Sequence, residues 1–274
     1  MTPEHARAAR ELLRFYAEAG VDALLCEESA DRLSAPPIES PPAPGPEPRS
    51  ADAREVRLAP PPRAHAESAP ATPEIAVMAA REAARSAASL TELREILAKF
   101  EGCALRTTAK QLVFADGNPQ SRVMFVGEAP GREEDLDGLP FVGRSGKLLD
   151  LMMAAIGLNR TTAYIANIIP WRPPGNRTPT PQESQICLPF IQRQIELADP
   201  DVLVCLGGPA TQTLLGVKEG IKRTRGRWFA FNTGTREIRA IATFHPAYLL
   251  RSPLEKRFAW RDFLALKKVL GETG

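Results

Sequence analysis

The spacing of hydrophobic residues divides the chain into three parts. Residues 3–28 repeat apolar side chains at the spacing of an amphipathic helix, and Thr2, Pro3 and Glu4 are residue types that start one. Residues 35–73 carry nearly half of the chain's 26 prolines and almost no large apolar groups, which predicts a disordered linker. We therefore predict an N-terminal helical segment (1–34), a proline- and alanine-rich linker (35–73) and one folded domain (74–274).

Four short apolar runs in the folded domain have the length of buried strands. They are RVMFVGE (122–128), AYIANII (163–169), DVLVCLGG (201–208) and RAIATFHP (239–246). Helical patterns lie between them, and residues 75–100 indicate one or two helices with a possible restart near Leu90 and Thr91. Apolar strands that alternate with helices predict an α/β fold, a three-layer α/β/α sandwich with a four-stranded parallel sheet.

Composition excludes several classes of protein. The 274 residues are 43% hydrophobic and 25% charged, with a formal net charge of +2, which are ordinary values for a globular protein. Four cysteines argue against a disulfide framework, and no stretch is apolar enough for a signal core or a membrane span. These features predict a soluble cytoplasmic protein. Basic residues outnumber acids from Lys218 onward, which suits an anionic partner or a solvated surface equally well.

Each predicted strand ends in residues of chemical interest. The first is followed by GEAPG, the second contains Asn167, the third runs into Gly207 and Gly208, and the fourth ends at His245. Ligands of open parallel sheets bind outside the carboxyl ends of the strands. An acid, an amide and an imidazole are therefore expected to meet in one crevice.

The loop GEAPGREEDLDGLPFVG (127–143) resembles a phosphate loop only in its glycines. No GK[ST] follows it, and its acids would repel phosphate. Taken alone, its glycines and Pro130 also fit a tight turn with solvated acids.

The wider sequence resembles the family-four type of bacterial and archaeal uracil-DNA glycosylases. The resemblance rests on GEAPGREEDLDGLPFVGRSGKLL, YIANIIPWRPPGNRTPTPQE, LGGPAT and TFHPAYLLR, in that order, and covers about residues 100–262. It implies an enzyme that flips uracil out of DNA and hydrolyses its N-glycosidic bond, leaving free uracil and an abasic site. No lysine stands where the family would use a nucleophile, so a monofunctional enzyme without lyase activity is expected.

The resemblance also implies roles for individual residues. Phe141 is the aromatic residue on which uracil stacks, Ala129 lies beside the base, and Asn167 reads the base edge. His245 donates to uracil O2 as negative charge develops, and it is the one histidine outside the N-terminal segment and linker. Glu128 is favoured as the acid that activates water, and Glu134 is the alternative. Glu133 and Asp135 are expected to be solvated.

Contacts to DNA are predicted at other positions. Gly207 and Gly208 open a helix whose free N–H groups suit phosphate, and three arginines can add ion pairs. Leu249 and Leu250 resemble the hydrophobic wedge that fills the gap left by a flipped base, although a helix start packed on the core is the other interpretation. The predicted phosphate-binding arginines are Arg172, Arg177 and Arg251.

One departure from the family concerns its four-iron cluster, which four cysteines hold. Here Cys103 and Cys187 occupy two of the ligand positions, whereas Phe100 and Trp171 occupy the other two. Iron–sulfur clusters of this type require four donors, normally thiolates. We therefore expect no cluster and no metal, with both aromatic side chains filling the volume and both cysteines buried.

The main alternative is a module that binds uracil or abasic sites in DNA with little turnover, although the presence of both an acid and an imidazole argues against a pure binder. A third class, an α/β nucleotide hydrolase that shares only the fold, should show a phosphate loop and metal-ligand acids at several strand ends, and the sequence shows neither pattern. The expected partner is uracil-containing DNA, with free uracil as the product, no membrane and a monomeric state. The sequence does not identify a protein partner for the N-terminal helix.

Overall fold

A computed structural model describes residues 73–272, so the predicted N-terminal helix and almost all of the linker lie outside the described part. The helices are α1 (Pro73–Ser86), α2 (Leu90–Lys99), α3 (Leu105–Thr108), α4 (Arg132–Asp137), α5 (Arg144–Ala154), α6 (Pro181–Ala198), α7 (Gly208–Leu215), α8 (Ile221–Thr224), α9 (Pro246–Arg251) and α10 (Lys256–Glu272). Short 3₁₀ helices span Pro174–Asn176 and Pro253–Glu255. The strands are β1 (Ala115–Gly117), β2 (Val123–Gly127), β3 (Tyr164–Asn167), β4 (Val202–Leu206), β5 (Trp228–Asn232) and β6 (Glu237–Thr243).

The sheet has six strands in the order β1-β3-β2-β4-β6-β5. Strands β3, β2, β4 and β6 are mutually parallel and correspond to the four predicted runs. The predicted class is confirmed, but the strand count was wrong because β1 and β5 add antiparallel edges. Neither edge strand is fully buried, so neither produces the continuous apolar run that marks a central strand.

Helices cover both faces of the sheet. In β2, Met124 and Val126 point into a core built with α1, α2, α6 and α7, whereas Val123 and Phe125 point into a core built with α5 and α10. Phe125 is fully buried, and burial of such a side chain is worth about 1.5–3 kcal/mol. The four central strands therefore lie between two apolar layers, with their carboxyl ends at one shared edge.

Side-chain caps mark the starts of α2 and α6. The Ser89 side chain accepts the Glu92 amide at the start of α2, which confirms a helix restart near Leu90. Thr180 and Glu183 form a reciprocal capping box at the start of α6. Within residues 73–272, no helix is both long enough and apolar enough to cross a membrane.

Candidate active site

A cleft of about 650 Å³ opens at the carboxyl ends of the four parallel strands. The chain after β2 contributes Glu128 and Ala129, and β3 contributes Asn167. The ends of β4 and β6 contribute Gly207 and His245. The predicted convergence of an acid, an amide and an imidazole is thus present in one cleft.

Asn167 provides a buried polar group at the floor of this cleft. The residue is 4% exposed, and its Oδ1 has no hydrogen-bond partner among the described residues. A Cβ on Gly127 would come within 2.5 Å of that oxygen and 2.6 Å of the Phe141 ring. A buried acceptor without a partner costs about 1–3 kcal/mol, and a ligand donor can remove that cost.

Phe141 lies in the connection between α4 and α5, with 4% of its surface exposed. Its φ of 56° is in the left-handed region, which costs a residue with a Cβ roughly 1–2 kcal/mol. A Cβ on Gly146 would come within 1.6 Å of the Phe141 carbonyl oxygen, so α5 approaches this backbone closely only because residue 146 is glycine. The ring is therefore fixed by an unusual backbone conformation.

His245 caps the first turn of α9. Its Nδ1 accepts a hydrogen bond from the Ala247 amide at 3.1 Å, so the neutral ring carries its proton on Nε2. Burial, with a smaller contribution from Arg251, lowers the pKa of His245 to about 4. The imidazole is consequently neutral at physiological pH and offers one N–H donor.

Glu128 follows β2 directly and is half-buried. Its carboxylate makes no hydrogen bond to any residue that the structure describes, and burial raises its pKa above the ordinary value. A carboxylate that is neither paired nor bonded is available to a water molecule.

Glu134 has a different environment, although it also lines the cleft. Its Oε2 accepts the Gly131 amide at 3.0 Å and its Oε1 accepts the Gly143 amide at 3.0 Å. The two oxygens thus hold the N-cap residues of α4 and α5, which flank the segment that contains α4 and Phe141. Of the two predicted acids, Glu128 is therefore the one whose carboxylate makes no hydrogen bond to the described residues.

The prediction that Asp135 is solvated was wrong. Asp135 is 2% exposed, and its Oδ1 accepts the amides of Lys110 at 2.8 Å and Gln111 at 3.3 Å. Its Oδ2 lies 3.9 Å from Arg172. Backbone N–H groups therefore bind this carboxylate in place of water. The sequence pattern does not reveal these partners. Glu133, in contrast, is exposed as expected.

Gly207 and Gly208 border the cleft at the start of α7. Gly207 is the N-cap, and its own amide donates to the Thr243 carbonyl at 2.8 Å. The amides of the first turn of α7 therefore remain the donors that could reach a phosphate there.

The three predicted phosphate-binding arginines differ in their surroundings. Arg177 is paired with Glu183 through contacts of 2.6 and 2.9 Å, and Arg172 donates to Asn176 at 2.7 Å. Arg251 is exposed at the rim of the cleft. Arg132 and Arg144, which the sequence did not single out, line a groove that shares Arg251 with the cleft.

The two leucines of the predicted wedge also differ in how exposed they are. Leu249 is 1% exposed and packs with Phe244 and Ala259, so its burial removes it from the wedge. Leu250 is 36% exposed and lines the same rim groove as Arg251. The prediction is retained for Leu250 alone.

The positions that correspond to the family's cluster ligands form a packed apolar region. Cys103 and Cys187 are buried, and their sulfur atoms lie 4.0 Å apart. Phe100 and Trp171 are 9% and 2% exposed and belong to the same core, where Phe100 meets Phe190 edge to face at 4.9 Å.

Two thiols are too few for a four-iron cluster held by four cysteines, so the residues present do not fit that group. Among the described residues, no set of three or more histidine, cysteine or acidic side chains could hold a metal ion. The region around Cys103 and Cys187 is therefore part of the hydrophobic core.

Comparison with known proteins agrees with this architecture. The family model described as "Uracil DNA glycosylase superfamily" matches residues 114–264. The chain is 43% identical over 190 residues to the "Type-4 uracil-DNA glycosylase" of Thermotoga maritima, covering 67% of this chain and 97% of the relative. It is 39% identical over 184 residues to the enzyme of the same name from Archaeoglobus fulgidus, covering 66% of this chain and 92% of the relative. The chain therefore belongs to the uracil DNA glycosylase superfamily.

Proposed function

We propose that the protein excises uracil from DNA by hydrolysing the N-glycosidic bond, which leaves free uracil and an abasic site for base excision repair. The observation that carries the proposal is the buried Oδ1 of Asn167, which has no hydrogen-bond partner among residues 73–272 and lies in a cleft shared with Phe141 and His245. This oxygen matches the N3–H donor of uracil, and the amide nitrogen of the same side chain matches O4. Cytosine presents the opposite pattern at both positions.

Phe141 is proposed to hold the flipped base by stacking, which is worth about 1–3 kcal/mol. Its fixed backbone supports this role because a ring that is already in position loses little entropy when the base arrives. Ala129 borders the same space.

His245 is proposed to stabilise the departing base. Its neutral ring donates from Nε2 to uracil O2, where negative charge accumulates as the bond from C1′ to N1 breaks. Because the neutral ring is the form present at physiological pH, this donor does not have to be protonated before the reaction.

Glu128 is proposed to orient the attacking water and to accept its proton. The water oxygen forms the new bond to C1′, the bond from C1′ to N1 breaks, and the bonding electrons leave with the base. The Glu128 carboxylate supports this role because it makes no hydrogen bond within the described part of the chain, whereas both oxygens of Glu134 accept backbone amides. Glu134 is proposed to keep the loop in shape.

The DNA strand is proposed to pass along the rim groove. Exposed Arg251, Arg132 and Arg144 supply positive charge there, and exposed Leu250 supplies an apolar side chain that can enter the gap in the base stack. The first turn of α7 adds amide donors beside the cleft. Arg172 and Arg177 are proposed to shape the loop between β3 and α6 through their own hydrogen bonds.

We further propose that this chain works without the four-iron cluster and with no metal, as a cytoplasmic monomer. The packing of Phe100 and Trp171 around two cysteines supports the absence of a cluster. Side-chain packing would then hold residues 171–187 in place, a segment that the cluster is expected to hold in other family members.

A direct test is to incubate the protein with a uracil-containing oligonucleotide and then treat the sample with alkali. Strand cleavage at the uracil position is the expected result, because alkali breaks DNA at abasic sites. A shifted but uncleaved complex would favour a binding module, and the absence of both would contradict any role on uracil in DNA. An oligonucleotide with thymine at the same position is the control.

A further inference from the structure

Arg160 lies in the turn between α5 and β3, outside the cleft, and contacts the backbone of the stacking residue. Its Nη1 donates to the Pro140 carbonyl at 3.1 Å, and its Nη2 donates to the Phe141 carbonyl. The same guanidinium contacts the carboxylates of Asp116 at 2.5 Å and Asp150 at 2.9 Å. One side chain thus connects β1, α5 and the peptide that carries the ring.

The carbonyl that Arg160 contacts belongs to a residue held in the left-handed region, with φ of 56°. Gly146 packs against the same carbonyl so closely that a Cβ there would meet the oxygen at 1.6 Å. The carbonyl is therefore oriented by a charged donor and enclosed by α5. Rotation of this peptide would move the ring of Phe141 relative to His245, whose ring centroid is 5.5 Å away.

The chemistry of arginine suits this position. A guanidinium presents its donors in a rigid plane, so it can serve two consecutive carbonyl groups and two carboxylates in one geometry. A lysine ammonium is a point donor and could not reproduce the set. The two aspartates in turn fix the plane of the guanidinium.

We propose that Arg160 is a positioning residue for uracil excision, which acts by holding the Phe141 peptide in its left-handed conformation. The inference rests on the proposed function for its catalytic consequence. Its structural consequence, the fixed place of the ring, does not depend on the identity of the substrate.

The chain contains a matched control at the amino ends of the strands. Arg236 donates to the carbonyls of Asp199 at 2.9 Å and Pro200 at 3.1 Å, and it also contacts the carboxylates of Asp199 and Asp201. Asp199 has a φ of 44°, so Arg236 likewise holds a left-handed residue, far from the cleft. Loss of either arginine removes a comparable set of bonds.

The experiment compares Arg160→Ala, Arg160→Lys and Arg236→Ala in the full chain, with 4-fluorophenylalanine at position 141 as a fluorine NMR probe. The expected result is a resonance that is shifted or broadened in both Arg160 variants and unchanged in Arg236→Ala. Single-turnover uracil excision should fall about 10- to 100-fold in Arg160→Ala, which is typical of a misplaced binding group, and stay at the wild-type level in Arg236→Ala. Arg160→Lys keeps the positive charge but not the planar set of donors. This variant therefore tests the proposal even if the alanine variant does not fold.

A double-mutant cycle with Phe141→Ala separates positioning from general stability. If Arg160 acts through the ring, Arg160→Ala lowers excision little further once Phe141 is alanine. Full additivity, or an unchanged resonance in both Arg160 variants, would overturn the proposal. If the wild-type protein excises no uracil, the proposed function is wrong, and the resonance alone still decides whether Arg160 holds the ring.

Discussion

The ring of Phe141 and the imidazole of His245 lie 5.5 Å apart, centroid to centroid, with 30° between their planes. The two side chains come from different parts of the fold, since Phe141 precedes α5 and His245 follows β6. A base that stacks on Phe141 therefore lies within reach of an imidazole donor. This relationship is the basis of the first prediction.

Replacement of Phe141 by alanine should lower single-turnover uracil excision by roughly 5- to 150-fold, the equivalent of a stacking contribution of about 1–3 kcal/mol. Phe141→Tyr should keep most of the activity because it keeps the ring. Equal activity of Phe141→Ala and the wild type would remove stacking from the mechanism.

Glu128→Gln should lower excision about 10²- to 10⁴-fold, the usual contribution of general base catalysis. The matched control is Glu133→Gln, an exposed acid in α4 five residues further along the chain, which should excise at the wild-type rate. Burial raises the pKa of Glu128, so its ionised form destabilises the folded state at neutral pH. Urea unfolding at pH 7 should accordingly find Glu128→Gln at least as stable as the wild type, which distinguishes loss of chemistry from loss of fold.

On the acidic side of its pH profile, kcat/KM should fall as Glu128 becomes protonated. It should show no decrease from protonation of His245 near pH 6.5, the ordinary pKa of histidine. Because burial raises the pKa of Glu128, activity should begin to fall at a higher pH than an ordinary glutamate would give. His245, with a pKa of about 4, stays neutral over the same range. A limb near pH 6.5 that disappears in His245→Asn would contradict this assignment.

Stability should depend on pH through His245. Its folded-state pKa of about 4 is below the ordinary value of 6.5, so the unfolded chain takes up a proton that the folded chain does not accept. The contribution of neutral His245 to the free energy of unfolding should therefore be complete above about pH 6.5. It should decrease as the pH falls toward 4. In His245→Asn, urea titrations should show a smaller decline across this window, whereas an identical pH dependence would mean that the imidazole is not buried.

Gly146→Ala should destabilise the fold by about 1–3 kcal/mol, as overpacking against the Phe141 carbonyl requires. Gly271→Ala in α10 is the matched control, since a Cβ there meets nothing within 4 Å. Urea unfolding of both variants tests the prediction. Wild-type stability of Gly146→Ala would mean that α5 does not press on the Phe141 peptide.

Much of the fold could be predicted from sequence because β2, β3 and β4 are buried along their whole length and β6 is buried from Ala240 to Thr243. These buried stretches are mostly apolar, and each contains or leads into a residue of the cleft. The edge strands β1 and β5 escaped prediction because partly exposed strands lack that pattern.

The limits of the sequence are clearest among charged residues. Nothing local distinguishes buried Asp135 from exposed Glu133, two positions earlier, because its partners Lys110 and Gln111 are remote in the chain. The roles of Glu134 and Arg160 are set by backbone groups that come close only in the folded protein. Residue type and order predict which groups meet in the cleft, whereas folding decides which acids are hydrogen-bonded within the described residues.

The most direct test of uracil excision is the release of free uracil from a uracil-containing oligonucleotide, measured by chromatography for the wild type and for Glu128→Gln. The wild type should release one uracil for each uracil in the DNA, and Glu128→Gln should bind the same DNA but release uracil far more slowly. Tight binding by the wild-type protein with no free uracil would contradict excision and identify a binding module instead.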